Sequence, residues 1–220
     1  MRETREMKRC LIQVFARLPE PGKVKTRLIP AIGAEGAAVF AAERLQTTLA
    51  AASQIEAADT EFWYSGSNAE FLADCTVTTH AQPETDLGER MRLALTDGQR
   101  RSERVVLVGT DCPMLDEHYL ASALMLLSDH PVVLGPAEDG GYGLIGVSGP
   151  VPDIFSNIDW GTASVLRDTC QRLNQASIHY ALMPLIWDVD RPADLDRYAA
   201  WSGNAEPLQA RSGSEDSVLR

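Results

Sequence analysis

Residues 105–109 read Val-Val-Leu-Val-Gly and lead directly into Thr110 and Asp111. Because the four residues before the glycine are all apolar, the run predicts a β-strand that is buried on both faces. Such strands are typical of parallel sheets whose two faces are covered by helices. Residues 10–16, CLIQVFA, form a second short run that is rich in strand-forming residues. The two runs together predict an α/β protein with a mostly parallel sheet.

Helical and strand patterns alternate along the rest of the chain. Helices are predicted over residues 34–58, 68–75, 86–99, 117–128 and 162–175 and after Pro192, and further strands over residues 61–65, 77–80, 132–135, 143–147 and part of 179–188. This alternation predicts a three-layer α/β/α fold, in which the strand pair around Gly140 permits a hairpin or one antiparallel edge. We expect residues 1–202 to form a single domain and the polar residues 203–220 to form a disordered tail.

The composition excludes several classes of partner. The net charge is −11, and an acidic chain repels both nucleic-acid backbones and anionic membranes. No stretch approaches the roughly 20 apolar residues of a membrane span, and the charged start with its short apolar run does not predict a signal peptide. The four cysteines form no CxxC pair, which argues against a zinc site or a disulfide framework. We therefore expect a cytoplasmic protein with reduced thiols.

A basic loop follows the first predicted strand. Residues 19–28 read Pro-Glu-Pro-Gly-Lys-Val-Lys-Thr-Arg-Leu, so that Lys23, Lys25 and Arg27 stand at alternate positions. On an extended segment this spacing places all three cations on one side. The loop leaves the carboxyl end of a strand, where open α/β sheets bind ligands. The pattern predicts a polyphosphate site, and the alternative is a solvated surface run. The loop matches neither the P-loop nor the dinucleotide-binding fingerprint.

Acidic residues follow two other predicted strands. Asp111 stands at the carboxyl end of the central strand, where a hard carboxylate suits Mg²⁺ or Mn²⁺. Within the segment Asp188-Val-Asp-Arg-Pro192, Asp190 is the candidate for a second metal ligand. The alternatives are that Asp111 caps a turn and that Asp190 begins a helix ahead of Pro192.

The segment Glu138-Asp-Gly-Gly-Tyr142 is the next candidate for a site. Glu138 and Asp139 could hold a metal, a hydroxyl group or a proton, and Gly140 and Gly141 permit close approach of the backbone to a ligand. Tyr142 completes this candidate substrate-binding segment. The alternative is a tight turn with solvated acids.

Two single residues extend the candidate site. Trp160, which precedes a predicted helix, could provide an aromatic platform for a sugar or a base, although burial in the core explains it as well. Arg90 lies in the first turn of a predicted helix capped by Asp86, and it faces either the pocket or solvent. We count Arg90 among the candidate phosphate-binding residues.

Five segments, taken in order, carry a resemblance to a known family: FARLPEPGKVKTRL, VGTDCP, GPAEDGGYGLIGV, WGTASVL and DVDRPADL. Over residues 10–200 the chain resembles the radical-SAM/selenodomain-associated transferases, bacterial proteins with the glycosyltransferase-A fold. Some members are described as arsenosugar-biosynthesis glycosyltransferases. The resemblance implies a nucleotide-diphospho-sugar-transferase fold with a metal–nucleotide site at the carboxyl edge of the sheet.

Positions within these motifs imply roles for individual residues. Lys23, Lys25 and Arg27 match a phosphate loop, Asp111 matches the metal-binding acid, and Asp190 matches the second acid of related nucleotidyltransferases. The KTRL and DVDRP segments also resemble 2-phospholactate guanylyltransferase. The chain lacks the LxGGxGxR opening of sugar-nucleotide pyrophosphorylases, which argues against those enzymes. A shared fold does not by itself determine function.

Three functions are compatible with these residues. The first is glycosyl transfer from a nucleotide sugar to a small acceptor, with Mg²⁺ or Mn²⁺ neutralising the leaving diphosphate and Glu138 or Asp139 orienting or deprotonating the acceptor. The second is nucleotidyl transfer from an NTP to a small phosphorylated acceptor, which the three clustered cations favour. The third is a nucleotide-binding regulator without catalysis, which would not need the acids. We expect the first.

Overall fold

A computed structural model describes residues 10–203 of the chain. The strands are β1 Cys10–Arg17, β2 Ala58–Ser65, β3 Thr78–Ala81, β4 Arg104–Val108, β5 Val132–Pro136, β6 Tyr142–Ser148 and β7 Tyr180–Leu182. The helices are α1 Ile29–Ser53, α2 Ala69–Ala73, α3 Leu87–Gln99, α4 Glu117–Leu126, α5 Val165–Gln175 and α6 Pro192–Ser202. The predicted tail, apart from Gly203, lies outside the described residues.

All seven strands form one sheet in the order β3-β2-β1-β4-β6-β5-β7. Strand β1 pairs in parallel with β2 and with β4, and β5 pairs in parallel with β7. Only β6 is antiparallel to its neighbours among these strands, and it forms a hairpin with β5. The mostly parallel sheet is thus confirmed, but the antiparallel strand is internal and not at an edge. The reason is that Leu144, Ile145 and Val147 are all buried, which an edge strand would not achieve.

Helices cover both faces of the sheet. On β4, Val106 and Val108 belong to one core cluster, which the apolar side chains of α1, α4 and α6 complete. Val105 and Leu107 belong to a second cluster on the opposite face, together with residues of α3 and α5. Alternate side chains of one strand therefore enter two different cores, as expected for a strand buried on both faces. This is the predicted three-layer α/β/α arrangement.

Several predicted boundaries differ from those observed. Helix α1 ends at Ser53 and not near Ala58, because Ala58 already pairs with Cys10 in the sheet. Gly33, with a φ of 73°, interrupts α1, so the helix predicted from Ala34 begins directly after this break. Helix α5 begins three residues later than predicted, at Val165.

The basic loop is not extended, contrary to the prediction. It contains a turn in which the Lys23 amide donates to the Glu20 carbonyl oxygen, and then a single 3-10 turn over residues 26–28. Lys25 adopts a left-handed backbone conformation with a φ of 45°. Burial of Val24 and Leu28 explains this path, because the two apolar side chains anchor the loop to the core while the backbone curls.

The topology gathers the predicted motifs at one edge of the sheet. The basic loop follows β1, Asp111 follows β4, the Glu138 segment follows β5, and the Asp190 segment follows β7. The chain continues from β1 to β2 on one side and reaches β4 on the other side of β1, so the strand order reverses between β1 and β4. A crevice outside the carboxyl ends of such strands is where open α/β sheets bind ligands.

Candidate active site

Two cavities open side by side at the carboxyl edge of the sheet and share Phe15, Leu87, Gly109 and Asp111. We call the first the basic cavity; its volume is about 490 Å³ and its charged lining residues are Arg17, Lys23, Lys25, Arg27, Arg44, Arg90, Asp111 and Asp190. We call the second the aromatic cavity; its volume is about 410 Å³, and Phe15, Tyr142 and Trp160 contribute rings to its lining. Asp111 therefore stands where a ligand in one cavity would meet a ligand in the other.

The basic cavity concentrates positive charge in an acidic protein. Six of the eight charged residues in its lining are cationic, whereas the whole chain carries a net charge of −11. Like charges held together in this way repel one another unless an anion joins them. Arginine and lysine together are the side chains with which proteins bind phosphate groups. The electrostatics of this cavity suit a polyphosphate.

Lys25 connects three segments of the site. Its Nζ lies 2.6 Å from Asp111 Oδ1 and also donates to the Val189 carbonyl oxygen at 2.6 Å. The Lys25 side chain is only 8% exposed, whereas that of Asp111 is 62% exposed. The lysine thus holds one oxygen of Asp111 from the protein side and leaves the carboxylate open to the cavities.

The other two cations of the loop have separate partners. Lys23 pairs with Glu20 at 2.7 Å and is 60% exposed, which places its ammonium group at the rim. Arg27 forms an ion pair with Asp190. The three cations therefore line one cavity although the loop is not extended, and their side chains have different partners.

Arg44 of α1 is a functional candidate that the sequence analysis missed. It is 4% exposed, it lines the basic cavity, and its Nη1 lies 3.3 Å from the Tyr198 hydroxyl oxygen. No atom of residues 10–203 accepts a hydrogen bond from its Nε or Nη2. A buried guanidinium with unpaired donors is costly, and an anionic ligand in the cavity would satisfy them.

Arg90 faces the basic cavity and not open solvent. Its Nη1 donates to Gln82 Oε1 at 3.1 Å, and both residues line the cavity. The predicted cap explains how Arg90 is positioned, since Asp86 Oδ1 accepts from the Glu89 amide at 3.0 Å and begins α3 at this edge. Of the two orientations that the sequence left open for Arg90, the structure has the one toward the cavity, and its role in phosphate binding stays a prediction.

Trp160 lies in the wall of the aromatic cavity and also packs on other rings. It stacks on Phe155 with a centroid distance of 6.4 Å and meets Tyr142 edge-on at 6.3 Å. A side chain at Gly88 would come within 2.5 Å of the indole, so this glycine lets Trp160 pack against the first turn of α3. The indole is half-buried, and both interpretations of Trp160 apply in part.

Three carboxylates surround the mouth of the aromatic cavity: those of Asp111, Asp139 and Asp188. Burial raises the pKa of the adjacent Cys112 thiol, and the charges of Asp111, Asp188 and Asp139 raise it further. Burial also raises the pKa of Asp188, with Asp139 and Asp190 adding to the effect and Lys25 opposing it. Three acids therefore share a region whose nearby cations include Lys25 and Arg27, and Arg27 is already paired with Asp190.

The structure does not bring two of the predicted residues to the cavities. Glu138 forms a two-pronged ion pair with Arg197, at 2.7 and 2.8 Å, and lines neither cavity. Gly140 has a φ of 87°, and a side chain there would lie 2.2 Å from the Ala163 carbonyl oxygen. Its close approach is to the loop before α5 and not to a cavity. Asp139, Gly141 and Tyr142 of the same segment do line the aromatic cavity.

Asp190 does not cap α6, and its role as a metal ligand stays a prediction. Its carboxylate is paired with Arg27, and the cap of α6 comes from Asp194, whose Oδ2 accepts from the Asp190 and Arg191 amides at 3.0 and 2.7 Å. Asp188, two residues earlier, lines the aromatic cavity beside Asp111 instead. Asp111 therefore shares the aromatic cavity with Asp188 and the basic cavity with Asp190.

The acid pair fits a divalent cation that a substrate completes. Within residues 10–203, no group of three or more His, Cys, Asp or Glu side chains is placed to hold a metal ion. Mg²⁺ is commonly held by one or two carboxylates together with substrate phosphates, so two acids suffice. The two acids line the same cavity, and burial, together with the neighbouring carboxylates, raises the pKa of Asp188, so a cation bound beside it would lower the cost of its charge.

Comparison with known proteins agrees with this architecture. Residues 38–162, more than half of the chain, match the model of the DUF2064 family, which is described as uncharacterized proteins conserved in bacteria. The chain belongs to the DUF2064 family. Among curated proteins, none matches its sequence. Within residues 10–203, no helix has both the length and the apolar character that a membrane crossing requires.

Solved structures share the fold. A Desulfovibrio desulfuricans protein assigned as a nucleotide-diphospho-sugar transferase is 32% identical over 91% of this chain and 90% of its own, with a TM-score of 0.85. The 4-diphosphocytidyl-2C-methyl-D-erythritol synthase of Anaerococcus prevotii is 10% identical, with 90% and 98% of the two chains covered and a TM-score of 0.60. Protein Rv0371c of Mycobacterium tuberculosis, in complex with manganese, is 15% identical, with 85% and 96% covered and a TM-score of 0.53. The last two likenesses show the fold alone. This DUF2064 protein has the nucleotide-diphospho-sugar-transferase fold.

Proposed function

We propose that this DUF2064 protein transfers a glycosyl group from a nucleotide sugar to a small acceptor, with Mg²⁺ or Mn²⁺ bound at the site. The single observation that carries the proposal is the position of Asp111 between a cation-lined cavity and an acid-rimmed, aromatic one. A diphosphate in the first cavity would have its bond to the sugar next to an acceptor in the second. The name of the Desulfovibrio desulfuricans relative supports a donor of this class.

The basic cavity would bind the nucleotide diphosphate. Arg44 and Arg90 stand at its wall with guanidinium groups that can each donate more than one hydrogen bond to phosphate oxygens. Arg27 would exchange its pairing with Asp190 for a phosphate, or share both. Binding energy from these contacts orients the donor, which is how positioning residues lower the barrier to transfer.

Asp111 and Asp188 would hold the divalent cation. When bound there, the cation supplies positive charge that stabilises the departing diphosphate. Lys25 keeps Asp111 in place by holding one of its oxygens, and it adds a positive charge beside the same phosphates. Mg²⁺ or Mn²⁺ is the choice because both ligands are hard carboxylates. The manganese complex of protein Rv0371c is consistent with this choice.

Asp139 is the acid that we propose as the base for the acceptor. Its Oδ1 accepts from the Gly141 amide at 2.8 Å, which orients the carboxylate at the rim of the aromatic cavity. The oxygen of an acceptor hydroxyl would attack the anomeric carbon of the donor as the bond from that carbon to the diphosphate breaks. The hydroxyl proton would pass to Asp139. Glu138 is the less suitable of the two predicted acids because Arg197 already occupies both of its oxygens.

Nucleotidyl transfer is the second candidate, and the number of cations favours it. Six basic residues line the basic cavity, and a triphosphate offers them more negative charge than the diphosphate of a nucleotide sugar. The resemblances to arsenosugar-biosynthesis glycosyltransferases and to 2-phospholactate guanylyltransferase remain predictions that divide between these two reactions. A regulator that only binds nucleotides would not need Asp111 or Asp188.

Product analysis separates the three functions. We expect the protein with a panel of nucleotide sugars, Mn²⁺ and a mixture of small alcohols to release a nucleoside diphosphate and to form a glycoside detectable by mass spectrometry. Release of pyrophosphate from an NTP would support nucleotidyl transfer instead. Binding without either product would support the regulator.

Asp111→Asn is the variant that tests the site. We expect at least a hundredfold loss of metal-dependent turnover, because the variant removes a charged metal ligand while keeping the shape of the side chain. Asp129→Asn, an exposed acid after α4, is the matched control and should keep full activity. Retained metal-dependent turnover in Asp111→Asn would reject the assignment of this residue.

Two further predictions stand beside the function. We propose that residues 1–202 form one domain, since one sheet contains every strand of the described chain. A cytoplasmic location remains a prediction from the composition.

A further inference from the structure

The aromatic cavity has an unusual combination of charge and apolar surface. Its charged lining residues are Asp111, Asp139 and Asp188, and no lysine, arginine or histidine of the described chain lines it. Its inner wall is formed by aliphatic side chains and rings. A volume of about 410 Å³ lies in the range of small-molecule sites, which are mostly apolar with a few polar groups.

This lining selects against acidic ligands. An acceptor that carried a phosphate or carboxylate deep in the cavity would lose its water and find no cation there to replace it. Lys25 Nζ, 2.6 Å from Asp111 Oδ1, compensates one of the three carboxylates, so without a divalent ion the cavity keeps a net negative charge. With the ion bound by Asp111 and Asp188 the charges balance, and no positive charge is left over for an acidic group. The remaining field therefore favours a neutral or positively charged ligand.

The apolar walls of the aromatic cavity also select against a ligand that is rich in hydroxyl groups. Met91, Leu107, Ile145 and Val165 contribute apolar surface, and the Thr162 hydroxyl already donates to the Asp159 carbonyl oxygen at 2.8 Å. The hydroxyls of a sugar that lay against these apolar side chains, away from the three carboxylates, would lack partners, which costs free energy for each one. A flat apolar body, in contrast, can pack against the half-buried face of Trp160.

We propose that the aromatic cavity is the acceptor subsite and that it takes a small alcohol with a flat apolar body, neutral or positively charged, with no acidic group. The proposal rests on the proposed function for the word acceptor. Its hydroxyl would lie toward Asp111 and Asp139 at the mouth, and its apolar body would lie between Trp160 and Met91. A cationic group, where present, would lie near the acids.

Three probes of nearly equal size test the charge rule. They are 4-(hydroxymethyl)benzylamine, 4-methylbenzyl alcohol and 4-(hydroxymethyl)benzoate, which carry a positive, a neutral and a negative group on the same ring. Their binding to the full-length protein is measured by ligand-observed NMR without nucleotide. We expect the amine and the neutral probe to bind, and the benzoate to bind roughly tenfold more weakly than the amine or worse.

Two variants assign the effect to the cavity. Asp139→Asn, at an exposed position, should reduce the ratio of amine to benzoate affinity severalfold, and Asp129→Asn should leave it unchanged. Trp160→Phe should weaken all three probes by a similar factor while keeping an aromatic ring in the wall.

The result that overturns the proposal is benzoate binding as tightly as the amine, or no binding by any probe. These measurements need no donor and no turnover. An absence of glycosyl transfer would therefore reject the proposed function and leave the ranking of probes intact, whereas a reversed ranking would reject the acceptor class and leave glycosyl transfer to be judged by its products.

Discussion

Replacing Arg44 with methionine tests whether the buried guanidinium exists to bind an anion. The side chain is 4% exposed, and Nε and Nη2 have no acceptor among residues 10–203. In a complex, both groups would donate to phosphate oxygens. A hydrogen bond to a charged partner contributes about 1.5–3 kcal/mol, so losing two should cost at least about 3 kcal/mol. Since 1.4 kcal/mol is tenfold, the dissociation constant of a bound nucleoside diphosphate should rise roughly a hundredfold or more.

Arg44→Met should weaken ligand binding but should not lower the free energy of unfolding of the ligand-free protein. Each buried donor without a partner costs about 1–3 kcal/mol, and Arg44→Met removes that cost. The same change loses the packing of the guanidinium 5.6 Å from the Tyr198 ring centroid, worth about 1 kcal/mol. We therefore expect the free energy of unfolding to stay level or to rise. A residue that served only the fold would show a clear fall.

The assay combines titration calorimetry with urea unfolding. The nucleoside diphosphate is chosen as the tightest binder among UDP, GDP, CDP and ADP in the presence of Mg²⁺. Arg100→Met is the matched control, because this exposed arginine follows α3 at the opposite edge of the sheet and carries the same charge. Unchanged affinity in Arg44→Met, or a loss equal to that of Arg100→Met, would refute the reasoning.

Three further predictions concern the acids, the loop and a glycine. Because the pKa of Asp188 is raised in the folded state, its ionisation lowers the free energy of unfolding as the pH rises above the pKa that it has in the unfolded chain. Asp188→Asn should therefore raise the urea midpoint of the metal-free protein near pH 7, and the two midpoints should converge in acid. The variant should also lose its stabilisation by Mg²⁺. Lys25→Ala should weaken the binding of an NTP more than the binding of an NMP. The control is Lys23→Ala, which alters an exposed residue at the rim and should change both affinities by less than about threefold. Equal losses of NMP and NTP affinity in Lys25→Ala would contradict the prediction. Gly140→Ala should lower the free energy of unfolding by about 3 kcal/mol or more, because the new methyl group meets a backbone carbonyl. The control is Gly149→Ala, which has a similar φ of 85° but open space around it and should lose about 1 kcal/mol. Similar losses in both variants would show that the contact at Gly140 is relieved elsewhere.

The class of fold could be predicted because its signals are local. The run at residues 105–108 is apolar at every position, and only a strand covered on both faces buries all of its side chains. The predicted cap Asp86 is likewise confirmed, since a cap depends on a few consecutive residues.

The position of the site could also be predicted, but its membership only in part. Acids and cations that follow parallel strands must meet at one edge, so Lys25 and Asp111 come together from distant positions. Arg44 gave no signal, because it lies in the interior of an alanine-rich helix and its burial follows from how α1 packs. The segment 188–192 was identified from its position after a strand, but the spacing of its residues did not tell that Asp188 lines the aromatic cavity and Asp190 the basic cavity.

The sequence by itself determined the architecture of this protein and the edge at which its charged motifs gather. The reason is that the apolar pattern of each strand, and the charged residues that follow it, involve neighbouring positions in the chain. Only the tertiary structure decided which charges pair with one another. Glu138 is paired with Arg197 and lines neither cavity, Asp190 is paired with Arg27 in the lining of the basic cavity, and Asp188 lines the aromatic cavity. The physical reason is that an ion pair forms between side chains that folding brings within a few ångströms of each other. The spacing of residues along the chain does not determine this distance between side chains.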